Sequence, residues 1–238
     1  MTARLYLSDD SLSAEATVTA VASDAVALDR SCFYPGGGGQ PADSGTLTPA
    51  NGEALRVTTV RADADGVLWH ELATAPPAGM VGRRVRLSVD AARSAALSRY
   101  HTALHVLNTI ALRDYGAWIT GAQIAVEYAR IDFKWEGFAP ALAAELEVKV
   151  NDVLAAGHAL RAYYIDEVQF IARGDLRRTL DVQPPIVDGR VRVVEISGFD
   201  AQACGGTHVH SLAELGRASI YRTENKGKIN KRLYVKLH

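Results

Sequence analysis

The sequence predicts two folded parts: a small barrel or sandwich of β-strands, then an α+β domain. Two observations carry that prediction. From Arg4 to about Ser88 the chain is a series of short β-like runs separated by turn residues, the pattern of an all-β domain. Near 88–90 the apolar period changes from two to about 3.6, which takes the chain from strands into a helix. The parts are therefore read as 1–89 and 90–238. At 238 residues, 48% hydrophobic and 22% charged, the chain has material for two modest cores and an ordinary globular make-up.

In the first part the clearest strand runs are ATVTAVA (16–22), LRVTTV (55–60), GVLWHEL (66–72) and RRVRLSV (83–89). Turns are expected at 63–66 and at 75–79, where Pro76 and Pro77 interrupt the chain. One loop differs from the rest, CFYPGGGGQPADSGTL at 32–47. No Gly-Lys-Ser/Thr follows it, so it is not a Walker loop. Pro41 and the missing helix pattern also exclude a dinucleotide fingerprint. Gly36, Gly37, Gly38 and Gly39 fit either a flexible hairpin tip or a backbone that a ligand or another chain approaches closely. Cys32 reads as a small packed hydrophobe.

The second part opens on DAARSAALSRYHTALHVLNTIALRD (90–114). Leu97, Tyr100, Leu104, Leu107 and Ala111 recur at alternating three and four, which predicts an amphipathic helix. Asp90 suits its N-cap, because a short acceptor there pairs an open N–H of the first turn. Beyond it, 121–135 alternates as a strand or two. Residues 138–157 read as a helix with Pro140 early and Gly157 as the stop. A strand at 158–166, a short helix from 168, a strand at 191–197 and a closing pair at 216–225 and 228–237 complete an α+β pattern. No internal repeat is present.

His101 and His105 are four apart on the predicted helix, so both imidazoles leave one face. Two nitrogen ligands one turn apart are half of a tetrahedral zinc site. Far along the chain, DAQACGGTHVH (200–210) puts Cys204 and His208 at the same spacing, with Gly205 and Gly206 allowing a tight turn. One thiolate and three imidazoles suit zinc. His210 is the alternative to His208, and the spacing from Cys204 favours His208. Structural zinc usually draws its ligand pairs from closer in sequence; a site joining two distant segments points to chemistry.

The formal net charge is −1, which excludes a general polyanion binder. Charge is concentrated instead. From 217 to 238 stand Arg217, Arg222, Lys226, Lys228, Lys231, Arg232 and Lys236, against the acid Glu224. Such a stretch reads equally as a phosphate footprint or as a solvated strand edge guarded by lysines. No apolar run approaches the ~20 residues of a membrane span, and no secretion signal is visible at the N-terminus. Two cysteines give no disulfide framework, so the expected compartment is the cytoplasm. Oligomeric state is not legible.

HTALH (His101–His105), CGGTHV (204–209), ENKGK with RLYV (224–235) and FYPGGGGQP (33–41) together resemble the AlaX family of freestanding alanyl-tRNA editing proteins and the editing domain of alanyl-tRNA synthetase. The motifs run in register over essentially the whole chain, as in the medium-length members. Gly36 departs from the pattern, where relatives often carry an acid. The resemblance implies an N-terminal β-barrel followed by an editing domain of the threonyl/alanyl-tRNA synthetase second-additional-domain type. It implies Zn2+ held by His101, His105, Cys204 and His208, with Gly37, Gly38, Gly39 and Gln40 near the acylated end of a tRNA. Thr102 corresponds to the position that contacts the substrate side chain, and Asp200 and Gln202 would lie beside the metal. Lys226, Lys228, Lys231 and Arg232 are the expected phosphate contacts. The implied activity is hydrolysis, in trans, of tRNA(Ala) mischarged with serine first and glycine second. The readings left open are an RNA-binding module with a structural zinc, a zinc hydrolase for another ester or amide, and an editor of a different tRNA.

Overall fold

The computed structural model describes residues 1–50, 52–179 and 184–238. It divides into two compact units, 1–37 with 41–95 and 38–40 with 96–238.

The first unit is built from β1 (Ala3–Arg4), β2 (Ser13–Val21), β3 (Ala25–Leu28), β4 (Arg30–Ser31), β5 (Gly45–Pro49), β6 (Leu55–Ala62), β7 (Leu68–Leu72) and β8 (Arg84–Val89). Six of these close a barrel in the order β2-β3-β7-β6-β5-β8. On β8 the residues Val85, Leu87 and Val89 point inward and alternate with exposed Arg84, Arg86 and Ser88, the period that wraps one face of a sheet around a core. All four residues of β3 are buried, so it lacks the alternation that made its neighbours legible. β5 also escaped the sequence reading. Its Gly45 is needed because a Cβ there would lie 2.1 Å from the Ser88 carbonyl oxygen. Phe33, Leu28, Leu47, Leu68 and Leu87 fill the centre. Buried His70 is held by Ser31, with Oγ 2.7 Å from Nε2.

The chain then enters α1 (Ala91–Tyr115). Asp90 starts it as expected, its Oδ1 accepting from Arg93 N at 3.1 Å. β9 (Trp118–Ile124), β10 (Ala129–Lys134), α2 (Pro140–Ala155), β11 (Leu160–Asp166), α3 (Glu167–Ala172), β12 (Ile186–Val187), β13 (Arg190–Ile196), β14 (Asp200–Ala203), β15 (Ala218–Asn225) and β16 (Asn230–Leu237) follow. One antiparallel sheet runs β15-β16-β10-β9; a second has β11 along one side of β13, with β12 and β14 on the other. Leu97, Leu104, Leu107 and Ile110 of α1 share a core with Ile131, Phe133, Leu233 and Val235 of the first sheet and with Leu146 and Val150 of α2. The amide of Asn151 on α2 pairs both backbone groups of Ala218 at 2.9 Å, fixing helix to strand.

The expectation of an amphipathic α1 needs correction. From Tyr100 to Ala111 every residue is buried, including Thr102, Asn108 and Thr109. A stretch buried all round has no polar face to give it amphipathic contrast, and Thr102 and Thr109 within it hydrogen-bond to His208, Val209 and Gln202 of the segments packed around it. Among the described residues no helix is long and apolar enough to cross a membrane.

Candidate metal centre

Burial of α1 sets the site. His101 and His105 are 6% and 8% exposed, and the turn after β14 brings Cys204 and His208 to the same point. The Cys204 Sγ is 3.6 Å from His101 Nε2 and 3.4 Å from His208 Nε2. One ligand atom from each of the four residues lies within 4.8 Å of all the others. A tetrahedral zinc with N at about 2.05 Å and S at about 2.3 Å would separate nitrogen from sulfur by about 3.6 Å and nitrogen from nitrogen by about 3.3 Å. The donor set and its spacing fit a zinc ion.

What surrounds the ligands supports the same fit. His101 Nδ1 lies 2.8 Å from Gln40 Oε1, an oxygen that can only accept, so the ring proton sits on Nδ1 and Nε2 keeps its lone pair. Gln40 Nε2 donates to Thr207 Oγ1 at 2.7 Å, and Thr207 Oγ1 is 2.7 Å from Ser98 Oγ. Around His208 the logic repeats. Thr102 Oγ1 donates to Ser98 O at 2.9 Å, which leaves it to accept from His208 Nδ1 at 3.0 Å and from Val209 N at 3.3 Å. Outer partners of this kind orient metal-binding imidazoles.

Two further side chains tie the halves together. Gln202 Nε2 reaches His105 O at 3.2 Å and Thr109 Oγ1 at 2.9 Å, joining β14 to α1. Asp200 accepts from Gln202 Nε2 at 2.7 Å through Oδ2 and pairs with Arg178 through Oδ1. Both oxygens of Asp200 are thus engaged. Ser98, Thr207 and Arg178 were not singled out from sequence; the signal for the first two was polar residues inside the predicted helix and between Cys204 and His208.

The glycines act for different reasons. Gly36, Gly37, Gly38 and Gly39 all have positive φ, from 58° to 142°, and Gly39 also lies against β9, where a Cβ would meet the Ala122 carbonyl oxygen at 2.5 Å. Ile124 N donates to Gly39 O at 2.8 Å and Gln40 is 2% exposed, so Gly39 and Gln40 are packed in, while Gly37 and Gly38 are exposed. In the CGGTH turn, by contrast, neither glycine has a positive φ. Gly206 is required by space: a Cβ would lie 2.1 Å from His101 Cε1. The tight-turn reading of these glycines is corrected, for Gly206, to close packing on the His101 ring.

Burial governs the ionisation of the cluster's own side chains. It lowers His101 to about 4, takes His105 and His208 well below the ordinary imidazole value, and raises the Cys204 thiol. The imidazoles are therefore neutral, with lone pairs available, at neutral pH.

The basic stretch lies on β15, β16 and their connection. Lys226 pairs with Glu224 at 3.0 Å. Lys231 is 9% exposed and donates to Lys228 O at 3.2 Å. Arg232 makes a two-point pair with Asp132, opposite it on β10, at 2.6 and 2.8 Å. Counting charges along the sequence missed this partner because Asp132 comes from another strand.

Comparison with known proteins now adds to the geometry. A family described as threonyl and alanyl tRNA synthetase second additional domain matches residues 191–234, and tRNA synthetases class II (A) matches residues 2–93. The alanyl-tRNA editing protein AlaX-M of Saccharolobus solfataricus is 34% identical over 235 residues, covering 98% of each chain. The chain belongs to the AlaX family. AlaX-M of Methanosarcina barkeri is 36% identical over 244 residues, covering 100% of this chain and 99% of its own. The alanine–tRNA ligase of Thermofilum pendens is 36% identical over 221 residues, 91% of this AlaX chain but 24% of the ligase.

Proposed function

We propose that this AlaX-family chain is a zinc-dependent deacylase acting in trans on tRNA(Ala), cleaving the ester that joins a wrong amino acid to the terminal ribose. Serine is the first substrate and glycine the second. The observation that carries this reading is the closed set His101, His105, Cys204 and His208, held in register by Gln40, Thr102 and Gln202 in a chain whose full-length relatives are named alanyl-tRNA editing proteins.

When bound, a zinc ion supplies Lewis-acid polarisation of an ester carbonyl or activation of a water at neutral pH. The chain's own residues prepare for it. Gln40 and Thr102 place the two Nδ1 protons outward, so the Nε2 lone pairs of His101 and His208 converge on Cys204. Gln202 holds the backbone of α1 at His105, and Asp200 holds Gln202. Contact of Thr102 or Gln40 with a substrate hydroxyl, the role that the resemblance implies, would exchange one of these bonds for another.

Editing also answers a limit of binding energy. A pocket for alanine rejects glycine by about one methyl group, roughly 1–3 kcal/mol, and rejects serine little better. A second site that requires the serine hydroxyl leaves a buried polar group unpaired with alanine, at about 1–3 kcal/mol, which spares the correct product. Lys226 and Lys228, at the β15–β16 connection, are proposed to position the tRNA through its phosphates, without reading sequence.

The test is deacylation of tRNA(Ala) charged with serine, glycine or alanine. Serine is expected to leave fastest and alanine slowest. Equal rates for serine and alanine defeat the proofreading reading, and no hydrolysis of any of them favours a binding module with a structural zinc.

A further inference from the structure

Arg192 lies in β13, opposite Tyr164 of β11, and its side chain does something unusual for a strand arginine. Its Nη1 donates to two carbonyls of the metal turn, Cys204 O at 3.0 Å and Gly206 O at 2.9 Å. Its own carbonyl accepts from Cys204 N at 3.0 Å. Among the described residues its side-chain hydrogen bonds all go to this turn, and none to a carboxylate. One planar amino group therefore spans the two carbonyls that flank Gly205, using both of its hydrogens.

The consequence is geometric. Leaving β14, the chain must turn so that the Cys204 Sγ and, four residues on, the His208 ring face α1. Carbonyls on the inside of such a turn have no sheet partner, and an unpaired acceptor draws the backbone toward water. The turn also packs Gly206 against His101 with no room for a Cβ, and Gly206 N donates back to Cys204 Sγ at 3.4 Å. A small opening between Cys204 O and Gly206 O would release that sulfur first. A guanidinium suits this bridge because its donors are fixed in one plane.

We propose that Arg192 is a positioning residue of the metal centre: it clamps the Cys204–Gly206 turn in the shape that presents the Cys204 sulfur to the three imidazoles. The inference rests on the metal reading above and adds a residue outside the ligand set and its imidazole partners. It separates Arg192 from an arginine that merely stabilises a sheet.

The test compares the metal-free full chain, Arg192→Gln, Arg192→Lys and, as a control on the same strand, Arg190→Gln. Zinc affinity is measured by competition with a chromophoric chelator, cobalt is bound in place of zinc to read the thiolate-to-metal absorption, and thermal unfolding of the metal-free proteins monitors the fold. Arg192→Gln is expected to fold and to bind zinc about 10- to 100-fold more weakly, the range typical of lost outer partners. Its cobalt form should show a weakened thiolate band. Arg192→Lys should fall between it and wild type, and Arg190→Gln should match wild type. Unchanged zinc affinity and cobalt spectrum in Arg192→Gln overturn the proposal, as does an equal loss in Arg190→Gln. If Arg192→Gln does not fold, the lysine variant decides: a measurable drop with a weaker thiolate band supports the clamp, and wild-type values overturn it. Wild-type protein that takes up no zinc is a different result, which removes the metal centre itself and the clamp with it.

Discussion

The hydroxyl of Thr102 lies 3.0 Å from Nδ1 of His208, joining the middle of α1 to the far end of the CGGTH turn. Because its proton is spent on Ser98 O at 2.9 Å, the oxygen is an acceptor toward the ring. That fixes which nitrogen of His208 is left for a metal. Thr102→Val keeps the shape and removes the acceptor. Zinc affinity is expected to fall by about 10- to 100-fold, with Thr102→Ser restoring most of it, as read by chelator competition. Equal affinity in the valine variant would show that the ring needs no such guide.

Gly206 and Gly205 give a contrast within one turn. An alanine Cβ at Gly206 would meet His101 Cε1 at 2.1 Å, whereas at Gly205 the nearest atom is Pro185 Cγ at 3.2 Å. Gly206→Ala should displace the His101 ring and leave the purified protein without stoichiometric zinc. Gly205→Ala should retain the metal with a modest loss of stability. Metal content after dialysis distinguishes them.

Ionisation of the cluster predicts proton release. With His101 lowered to about 4 by burial and the Cys204 thiol raised by the same cause, the metal-free site at neutral pH holds one proton that zinc must displace. Apparent affinity should therefore rise about tenfold per pH unit near neutrality. Calorimetry in buffers of different ionisation enthalpy should report about one proton released per zinc. Release of none would mean that the thiol is already ionised.

The same burial destabilises the metal-free fold in acid. Unfolding returns these imidazoles to the ordinary value of 6.5, so below that pH the unfolded chain gains protons that the folded chain refuses. Above it neither state is protonated and the contribution vanishes. For His70, lowered to about 4, the loss reaches about 3 kcal/mol once pH falls from 6.5 to about 4. Denaturant midpoints measured across that window should fall steadily, and His70→Gln should flatten part of the slope.

Sequence showed the parts of this protein that depend on local spacing. The i, i+4 pairs at His101/His105 and Cys204/His208 are visible because helix and turn geometry act over a few residues, and they converge in the fold. Asp90 at the start of α1 and Pro140 at the start of α2 were legible for the same reason. What depends on distant partners was not. β3 is buried on both faces and so carries no alternation. The roles of Ser98 and Thr207 exist only once α1 and the metal turn meet, and Arg232 looked like a free cation until β10 placed Asp132 opposite it.

That pairing sharpens what to expect of the basic stretch. Lys226→Ala combined with Lys228→Ala should weaken binding of uncharged tRNA and flatten its salt dependence, with folding unaffected. Arg232→Ala should chiefly cost stability, because it leaves the part-buried Asp132 with Arg130 as its remaining arginine partner. A double lysine variant with an unchanged salt slope would remove this face from the tRNA footprint.

On the proposed function, one cation held by His101, His105, Cys204 and His208 makes ester hydrolysis possible. The decisive measurement is a titration of zinc into metal-free protein while deacylation of Ser-tRNA(Ala) is followed. Activity should be absent at the start, rise in proportion to added zinc and level off at about one equivalent, and His105→Ala should stay inactive throughout. Full hydrolysis by the metal-free chain, indifferent to added zinc, would contradict it.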